Sequence, residues 1–196
     1  MALLVGGLLV FFAVHLVPTL PDVRARMIGR LGESGYKLAF AVASVLSLVM
    51  IVWGFGEARL TAPQLWDTPE WTRHVAFLLM IPALILLAAA YIPSRIRTFA
   101  KHPMLTAIKF WALAHLIANG DLASLFLFGS FLAYAAYDRV SAKRRTALGP
   151  LGARAGGLAG DVAAIAIGLL AYVAILGFGH EHLIGVPLIG PISIPS

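Results

Sequence analysis

The sequence predicts an all-α integral membrane protein, a polytopic bundle of six transmembrane helices with both termini outside. The 196-residue chain is 60% hydrophobic and only 12% charged, and its mean hydropathy is +0.90, which soluble domains do not reach. Its apolar residues form six stretches, each close to the ~20 helical residues that cross a bilayer: about 2–20, 36–55, 74–92, 103–119, 122–137 and 161–179. We expect a single domain, 1–196.

The order of the charges predicts the orientation of these spans. Most Lys and Arg residues fall in three loops, 21–35, 93–102 and 138–160, whereas the intervening loops are nearly neutral. Positively charged loops stay in the cytoplasm. The odd-numbered loops are therefore predicted to be cytoplasmic.

Net charge and cysteine content exclude several classes of function. The chain carries a net charge of +6, but this charge is divided among three short loops beside the membrane. Such loops contact anionic lipid headgroups, so we expect membrane lipids and no nucleic acid as partners. The absence of cysteine excludes disulfides, thiolate metal sites and covalent haem attachment.

The segments that flank the spans also carry local patterns. The first span lacks a basic leader and a small-x-small cleavage site, so it is interpreted as a retained span rather than a signal peptide. The following PDVRARMIGRLG segment has apolar residues at helical spacing. It is interpreted either as a short helix on the leaflet or as a basic loop that only fixes orientation. The Gly/Ala-rich GPLGARAGGLAG run before the last span predicts a flexible connection.

Two histidines lie inside apolar spans, His15 in the first and His115 in the fourth. An imidazole at membrane depth is costly unless it meets a partner, a cofactor or water, so both are candidate functional residues. An interhelical hydrogen bond is the structural alternative.

The other histidines are weaker candidates. His74 is placed at the outer interface, and His180 and His182 in the tail form at best a weak metal site. His102 opens the fourth span in a Lys-His-Pro sequence, where Pro103 marks a helix start.

Helical geometry limits which histidines can share a site. His102 and His115 are thirteen residues apart, which separates them by about 20 Å along a helix and points them to nearly opposite faces. A two-histidine site must therefore combine His15 with one of them. His15 and His115 differ in predicted depth by ~10 Å, which suits a flat macrocycle better than a bare ion. Phe11, Phe12 and Trp111 lie at helical spacing from these histidines and could line such a group.

Two long strings carry a family resemblance: FAVHLVPTLPDVRARMIGRLGESGYKLAFAVASV and AKHPMLTAIKFWALAHLIANGDLASLFLFGSFLAYAAYDR. They resemble the NnrU family of bacterial membrane proteins over about residues 3–190. That family is similar to the 15-cis-zeta-carotene isomerases, which use a b-type haem whose histidine ligands match His15 and His115. Lys101 replaces the family's usual Arg, and Ala107 stands where Gly is common.

The resemblance implies a haem b-binding protein of the bacterial inner membrane, linked to denitrification and nitric oxide metabolism. Its iron would be held by His15 and His115. Nitric oxide or a hydrophobic small molecule, and denitrification membrane proteins, are the implied partners. The remaining expected cofactor-binding residues are Phe11, Phe12, Trp111, Asn119, His102 and Lys109. Among them Asn119 would support His115, and His102 would support the site without ligating the iron. Lys109, with Arg24 or Arg26, would meet the propionates.

Three other functions remain open at this point, and the sequence leaves open whether the protein is an enzyme. The first is a haem-dependent cis-trans isomerase of a polyene or isoprenoid lipid. The second is a non-catalytic assembly factor for denitrification enzymes. The third is an S-adenosylmethionine-dependent methyltransferase, because the His102-Pro103 start also occurs in membrane enzymes of the isoprenylcysteine type. The downstream motifs of those enzymes are absent here, and Asp138-Arg139 is a poor substitute.

Overall fold

A computed structural model describes residues 1–146, 151–152 and 154–188, which form helices joined by loops. Within them there is no β-strand, only two isolated bridges between loops. The helices are α1 (Ala2–Leu16), α2 (Pro21–Ala58), α3 (Trp71–Ala89), α4 (Arg95–Ala100), α5 (Pro103–Ala118), α6 (Leu122–Arg144), α7 (Leu158–Ala174) and α8 (His180–Ile184). A 3-10 turn (Val17–Thr19) follows α1, and a π-helical turn (Ile175–Gly179) joins α7 to α8.

The all-helical class and the membrane character agree with the sequence prediction. Among the described residues, four helical segments are long and apolar enough to cross a membrane: Ala2–Thr19, Pro21–Ala58, Trp71–Ala89 and Leu158–Ile184. The predicted fourth and fifth spans do not reach that standard. Helix α5 has 16 residues, and the last two turns of α6 carry Asp138, Arg139, Lys143 and Arg144. Six spans with both termini outside therefore stay a prediction.

The chain divides into two compact units, each built from two separate parts of the sequence. The first unit comprises Met1–Ala76 and Ala112–Ala147, and the second comprises Phe77–Trp111 and Leu148–Ser196. Residues 147–150, 153 and 189–196 lie outside the described residues, so the predicted loop 138–160 is described only in part. The prediction of a single domain is not tested by this division.

In the first unit, α1 and α2 run antiparallel in close contact. A Cβ on Gly7 would lie 2.9 Å from the backbone nitrogen of Ile51, and a Cβ on Gly54 would overlap the backbone of Leu4. Only glycine allows helix axes to approach this closely. Small residues at such crossings are typical of helices that pack in membranes.

Helix α2 contains a sharp break that separates a basic segment from the long apolar one. Gly32 has φ +71° and ψ 165°, a conformation essentially restricted to glycine. Residues 21–31 before the break are helical, which agrees with the prediction of a short helix after the first span rather than a basic loop.

Helix α6 packs alongside α1 in the same direction. Phe131 contacts Phe11 at a ring distance of 5.2 Å. Farther along both helices, the Tyr137 hydroxyl lies 3.2 Å from Thr19 Oγ1. Because both residue numbers rise together, α1 and α6 are parallel. Two predicted odd-numbered spans thus run in the same direction, and α2 runs opposite to α1.

The loops after α2 and after α5 are hydrogen-bonded to each other within the first unit. The Gly120 carbonyl accepts from the backbone nitrogens of Leu65 (2.7 Å) and Trp66 (3.2 Å), and Leu122 N donates to Pro63 O at 3.1 Å. Both loops belong to the predicted even-numbered, outer set. Their pairing fits that prediction, because bonded loops must lie at the same end of the helices.

In the second unit, α3 and α7 pack antiparallel through glycine. A Cβ on Gly168 would lie 2.6 Å from Ile85 Cα, and a Cβ on Gly160 would overlap the Pro93 carbonyl. From Ile85 to Pro93 the residue numbers rise, whereas those of their partners fall from Gly168 to Gly160. The predicted third and sixth spans therefore run in opposite directions, as an odd-numbered and an even-numbered span must.

The third and fifth loops also meet within the second unit, and one sequence prediction fails there. The guanidinium of Arg97 donates to the carbonyls of Arg154 (2.7 Å) and Gly152. A Cβ on Gly156 would overlap Pro93 and Ser94. The prediction that GPLGARAGGLAG is a flexible connection is therefore wrong for its described residues, because this glycine packs against the preceding loop and two carbonyls are held by an arginine. Residues 149–150 and 153 of that run lie outside the described residues.

Candidate functional site

The geometry of His15 defines which of its ring atoms can bind a ligand. His15 lies in the last turn of α1, where its Nδ1 is 2.8 Å from the Phe11 carbonyl oxygen. A carbonyl oxygen only accepts, so Nδ1 carries the proton and donates it. In the neutral ring this leaves a lone pair on Nε2. A histidine that donates Nδ1–H to a backbone carbonyl is the usual form of a metal-ligating imidazole.

Aromatic rings from three helices hold the His15 ring in place. Phe11 of the same helix stacks on it with a centroid distance of 3.8 Å and an interplanar angle of 18°. Phe40 of α2 lies at 5.1 Å and Tyr134 of α6 at 6.2 Å. The Tyr134 hydroxyl also donates to the His15 backbone carbonyl at 3.0 Å. The half-buried imidazole therefore sits in an aromatic cage built by the packing of α1, α2 and α6.

The two phenylalanines predicted to line a macrocycle belong to the surroundings of this cage. Phe12 contacts Phe131 at 5.1 Å and Tyr134 at 5.2 Å, and Phe11 contacts Phe12 edge-on at 5.5 Å. The aromatic cluster is thus shared between α1 and α6. It supplies flat apolar surface beside the histidine.

His115 lies in the last turn of α5, against the N-terminal half of α6. Its ring stacks on Phe128 with a centroid distance of 4.5 Å and an interplanar angle of 24°. Phe128 in turn contacts Phe55 of α2 at 5.8 Å. Asn119 donates its side-chain amide to the His115 backbone carbonyl at 2.8 Å, so it caps the end of α5. A hydrogen bond from Asn119 to the imidazole of His115 stays a prediction.

In the first unit, His15 and His115 lie beside different turns of α6. Tyr134 beside His15 and Phe128 beside His115 are six residues apart on α6, which corresponds to about 9 Å of helical rise. This offset is close to the ~10 Å predicted from the sequence.

The grouping of His, Asp and Glu side chains limits which metal the described residues could bind. Among the described residues, no three or more His, Asp or Glu side chains are grouped so that they could hold an ion. A structural zinc ion needs four ligands, so the described residues do not fit one. Haem needs axial ligands only, and its flat ring requires apolar and aromatic walls. Two half-buried imidazoles with neighbouring aromatic rings are side chains of that chemical type.

The remaining predicted cofactor-binding residues, His102, Lys109 and Trp111, lie in the second unit. Lys109 and Trp111 lie on α5, and His102 lies in the turn that joins α4 to α5. The His102 carbonyl accepts from Thr106 N at 3.1 Å and from Thr106 Oγ1 at 3.2 Å. Because α5 is unbroken from Pro103 to Ala118, His102 and His115 lie at opposite ends of one helix and cannot share an ion.

Several residues near the site were missed in the sequence. Phe40, Phe128, Phe131 and Tyr134 were counted only as apolar span residues. The signal was present on α6, where Phe128, Phe131 and Tyr134 recur every three residues and so follow one slowly turning helical stripe. Their contact with His15 and His115 depends on tertiary packing, which this spacing does not give.

The sequence analysis also missed Asp161, which lies in the first turn of α7 in the second unit. Asp161 accepts from Arg95 Nε at 2.6 Å and from the backbone nitrogen of Ile96 at 3.0 Å. This carboxylate therefore binds the start of α4. It joins the third and fifth loops and is distant in sequence from both candidate ligands.

One comparison with known proteins identifies the family. The family model described as NnrU protein matches residues 3–188. The chain belongs to the NnrU family. No curated protein and no solved structure matches it.

Proposed function

We propose that this NnrU family protein binds haem b in the bacterial inner membrane, with His15 and His115 as the axial ligands, and acts in nitric-oxide-linked metabolism associated with denitrification. The observation that carries the proposal is the setting of His15, a half-buried imidazole enclosed by Phe11, Phe40 and Tyr134, whose Nδ1–H is held by the Phe11 carbonyl at 2.8 Å. Its Nε2 lone pair is thereby prepared for a metal. The resemblance described above supplies the identity of the cofactor and the metabolic context.

The chain's own residues would perform three tasks at such a site. Phe11 fixes the tautomer and the rotation of the His15 ring, and Phe40 and Tyr134 restrict its movement. The aromatic cluster excludes water from the ligand, which strengthens electrostatic interactions there. Arg26, on the first basic loop, would neutralise a propionate. A bound haem would supply an iron that changes oxidation state and accepts a small ligand.

The proposal includes six spans with both termini outside. It is supported by the loop pairings, since the even-numbered loops bond to each other in the first unit and the third and fifth loops bond to each other in the second. It is also supported by the parallel course of α1 and α6. Helix α6 fails the length-and-hydropathy standard because of its charged end, yet Phe131 and Tyr134 in its apolar part pack against α1, and Tyr137 contacts the 3-10 turn that follows α1.

A visible absorption spectrum of the purified full-length protein tests this proposal. The protein is expressed with an ample supply of haem, and spectra are recorded oxidised and then reduced with dithionite. We expect a Soret band and, after reduction, the sharp α and β bands of a six-coordinate b-type haem. A colourless protein that is folded and monodisperse would overturn the proposal and favour the assembly-factor function.

A further inference from the structure

A cavity lies at the turn between α1 and α2, within the first unit. It has a volume of about 170 Å³ and is lined by Val14 from α1, Val17 from the 3-10 turn, Met27 from the basic segment 21–31, and Phe40 and Ala43 from α2. Its wall is almost entirely apolar. The volume exceeds that of an apolar cavity of ~150 Å³ that binds benzene, so it can hold several carbon atoms.

One side chain in this wall carries an unsatisfied polar atom. Tyr36 lines the cavity and is only 7% exposed. Its hydroxyl is buried without a hydrogen-bond partner in the part of the chain that the structure describes. A buried hydroxyl without a partner lowers stability, so this side chain would gain a hydrogen bond if a polar ligand atom reached it.

Positive charge borders the same tyrosine. The guanidinium carbon of Arg24 lies 5.6 Å from the centroid of the Tyr36 ring, within the range of a cation–π contact. Arg26 and Arg30 lie on the same exposed segment, opposed there only by Asp22. The next carboxylate along the chain, that of Glu33, forms an ion pair with Lys37 at 2.7 Å. The rim above the apolar wall is therefore cationic.

We propose that this cavity, the Tyr36 cavity, binds an anionic glycerophospholipid. One acyl chain would occupy the apolar wall, and the phosphate would lie beside Arg24. The Tyr36 hydroxyl would donate to an ester or phosphate oxygen of the lipid. Charge complementarity decides the occupant, because an exposed guanidinium stands beside the Tyr36 ring and attracts an anionic headgroup. This proposal does not depend on haem.

Native mass spectrometry of the full chain tests the proposal. The protein is released from nanodiscs that contain equal amounts of phosphatidylglycerol and phosphatidylcholine. We expect one retained phosphatidylglycerol per chain, at least fivefold above phosphatidylcholine. Ala43→Leu, which fills the cavity, should reduce retention about tenfold. The matched variant Ala41→Leu, at an exposed position on the same helix, should retain the lipid as the wild type does.

Two variants that leave the packing intact separate the polar contributions. Tyr36→Phe should weaken retention about three- to tenfold, as expected for one lost hydrogen bond. Arg24→Gln should remove the preference for phosphatidylglycerol over phosphatidylcholine. Equal retention of the two lipids by the wild type, or unchanged retention in both Ala43→Leu and Tyr36→Phe, would overturn the proposal. Xenon binding without lipid retention would also overturn it, in favour of a site for small apolar molecules.

Discussion

The two compact units are stabilised by different kinds of contact. The described contacts around His15 and His115 in the first unit are mostly aromatic, through Phe11, Phe128 and Tyr134. The second unit joins its loops with charged groups, through Arg97 on two carbonyls and Asp161 on Arg95.

The two kinds of contact indicate different roles for the two units. Aromatic surface can face a flat cofactor and exclude water, whereas a buried arginine fixes backbone at the edge of a helix bundle. The first unit is therefore where we expect chemistry. The second unit is where we expect substitutions to change folding and loop order.

The largest expected effect concerns sidedness, and the absence of cysteine makes it simple to measure. Asp67→Cys is in a predicted outer loop, and Arg26→Cys is in the first, cytoplasmic loop. A membrane-impermeant maleimide added to intact spheroplasts should label Asp67→Cys fully and Arg26→Cys only after lysis. Labelling of Arg26→Cys alone in intact spheroplasts would reverse the orientation, and labelling of both would remove the alternation of spans.

The next effect concerns the crossing of α1 and α2 in the first unit. Gly54→Ala places a methyl group on the Leu4 backbone, so the two helices must separate. We expect the free energy of unfolding in mild detergent to fall by ~1–3 kcal/mol, the usual cost of overpacking.

Gly56→Ala is the matched control, because a Cβ there meets nothing within 4 Å. Its free energy of unfolding should be unchanged or slightly raised. Equal destabilisation by the two variants would contradict the crossing.

A smaller and more local effect is expected in the second unit. Arg97→Lys keeps the charge but removes the planar fork that binds two carbonyls, so we expect a loss of ~1–2 kcal/mol in stability. Limited proteolysis should cut the segment between α6 and α7 faster in this variant. Arg30→Lys, at an exposed position in the first unit, is the control and should change the cleavage rate little. Equal cleavage rates in wild type and Arg97→Lys would show that Arg97 does not order this segment.

The sequence predicted those features that depend on local pattern. The apolar stretches predicted helices, and four of them are long and apolar enough to cross a membrane. The apolar spacing of PDVRARMIGRLG allowed a helix before Gly32 as one of two interpretations, and the structure has that helix. These predictions succeed because helical periodicity and hydropathy are properties of consecutive residues.

Features that depend on distant residues were not predictable in the same way. The cage around His15 needs Phe40 and Tyr134, which come from helices far along the chain. Gly156 resembles a flexible linker residue until Pro93 packs against it. The glycine content of that run indicates backbone freedom, but it equally permits close packing, and only the tertiary contact decides between the two.

The central claim is that His15 and His115 hold one haem iron, and the haem content and ligand field of matched histidine variants test it most directly. Wild type, His15→Ala, His115→Ala, His102→Ala and the exposed His74→Ala are purified identically. Haem is measured by the pyridine haemochrome assay, and ligation by low-temperature electron paramagnetic resonance. We predict a low-spin bis-histidine signal in wild type, His74→Ala and His102→Ala, and its loss in His15→Ala and His115→Ala. A low-spin bis-histidine signal that survives in both His15→Ala and His115→Ala would contradict the account, as would its loss in His102→Ala with His115→Ala unaffected.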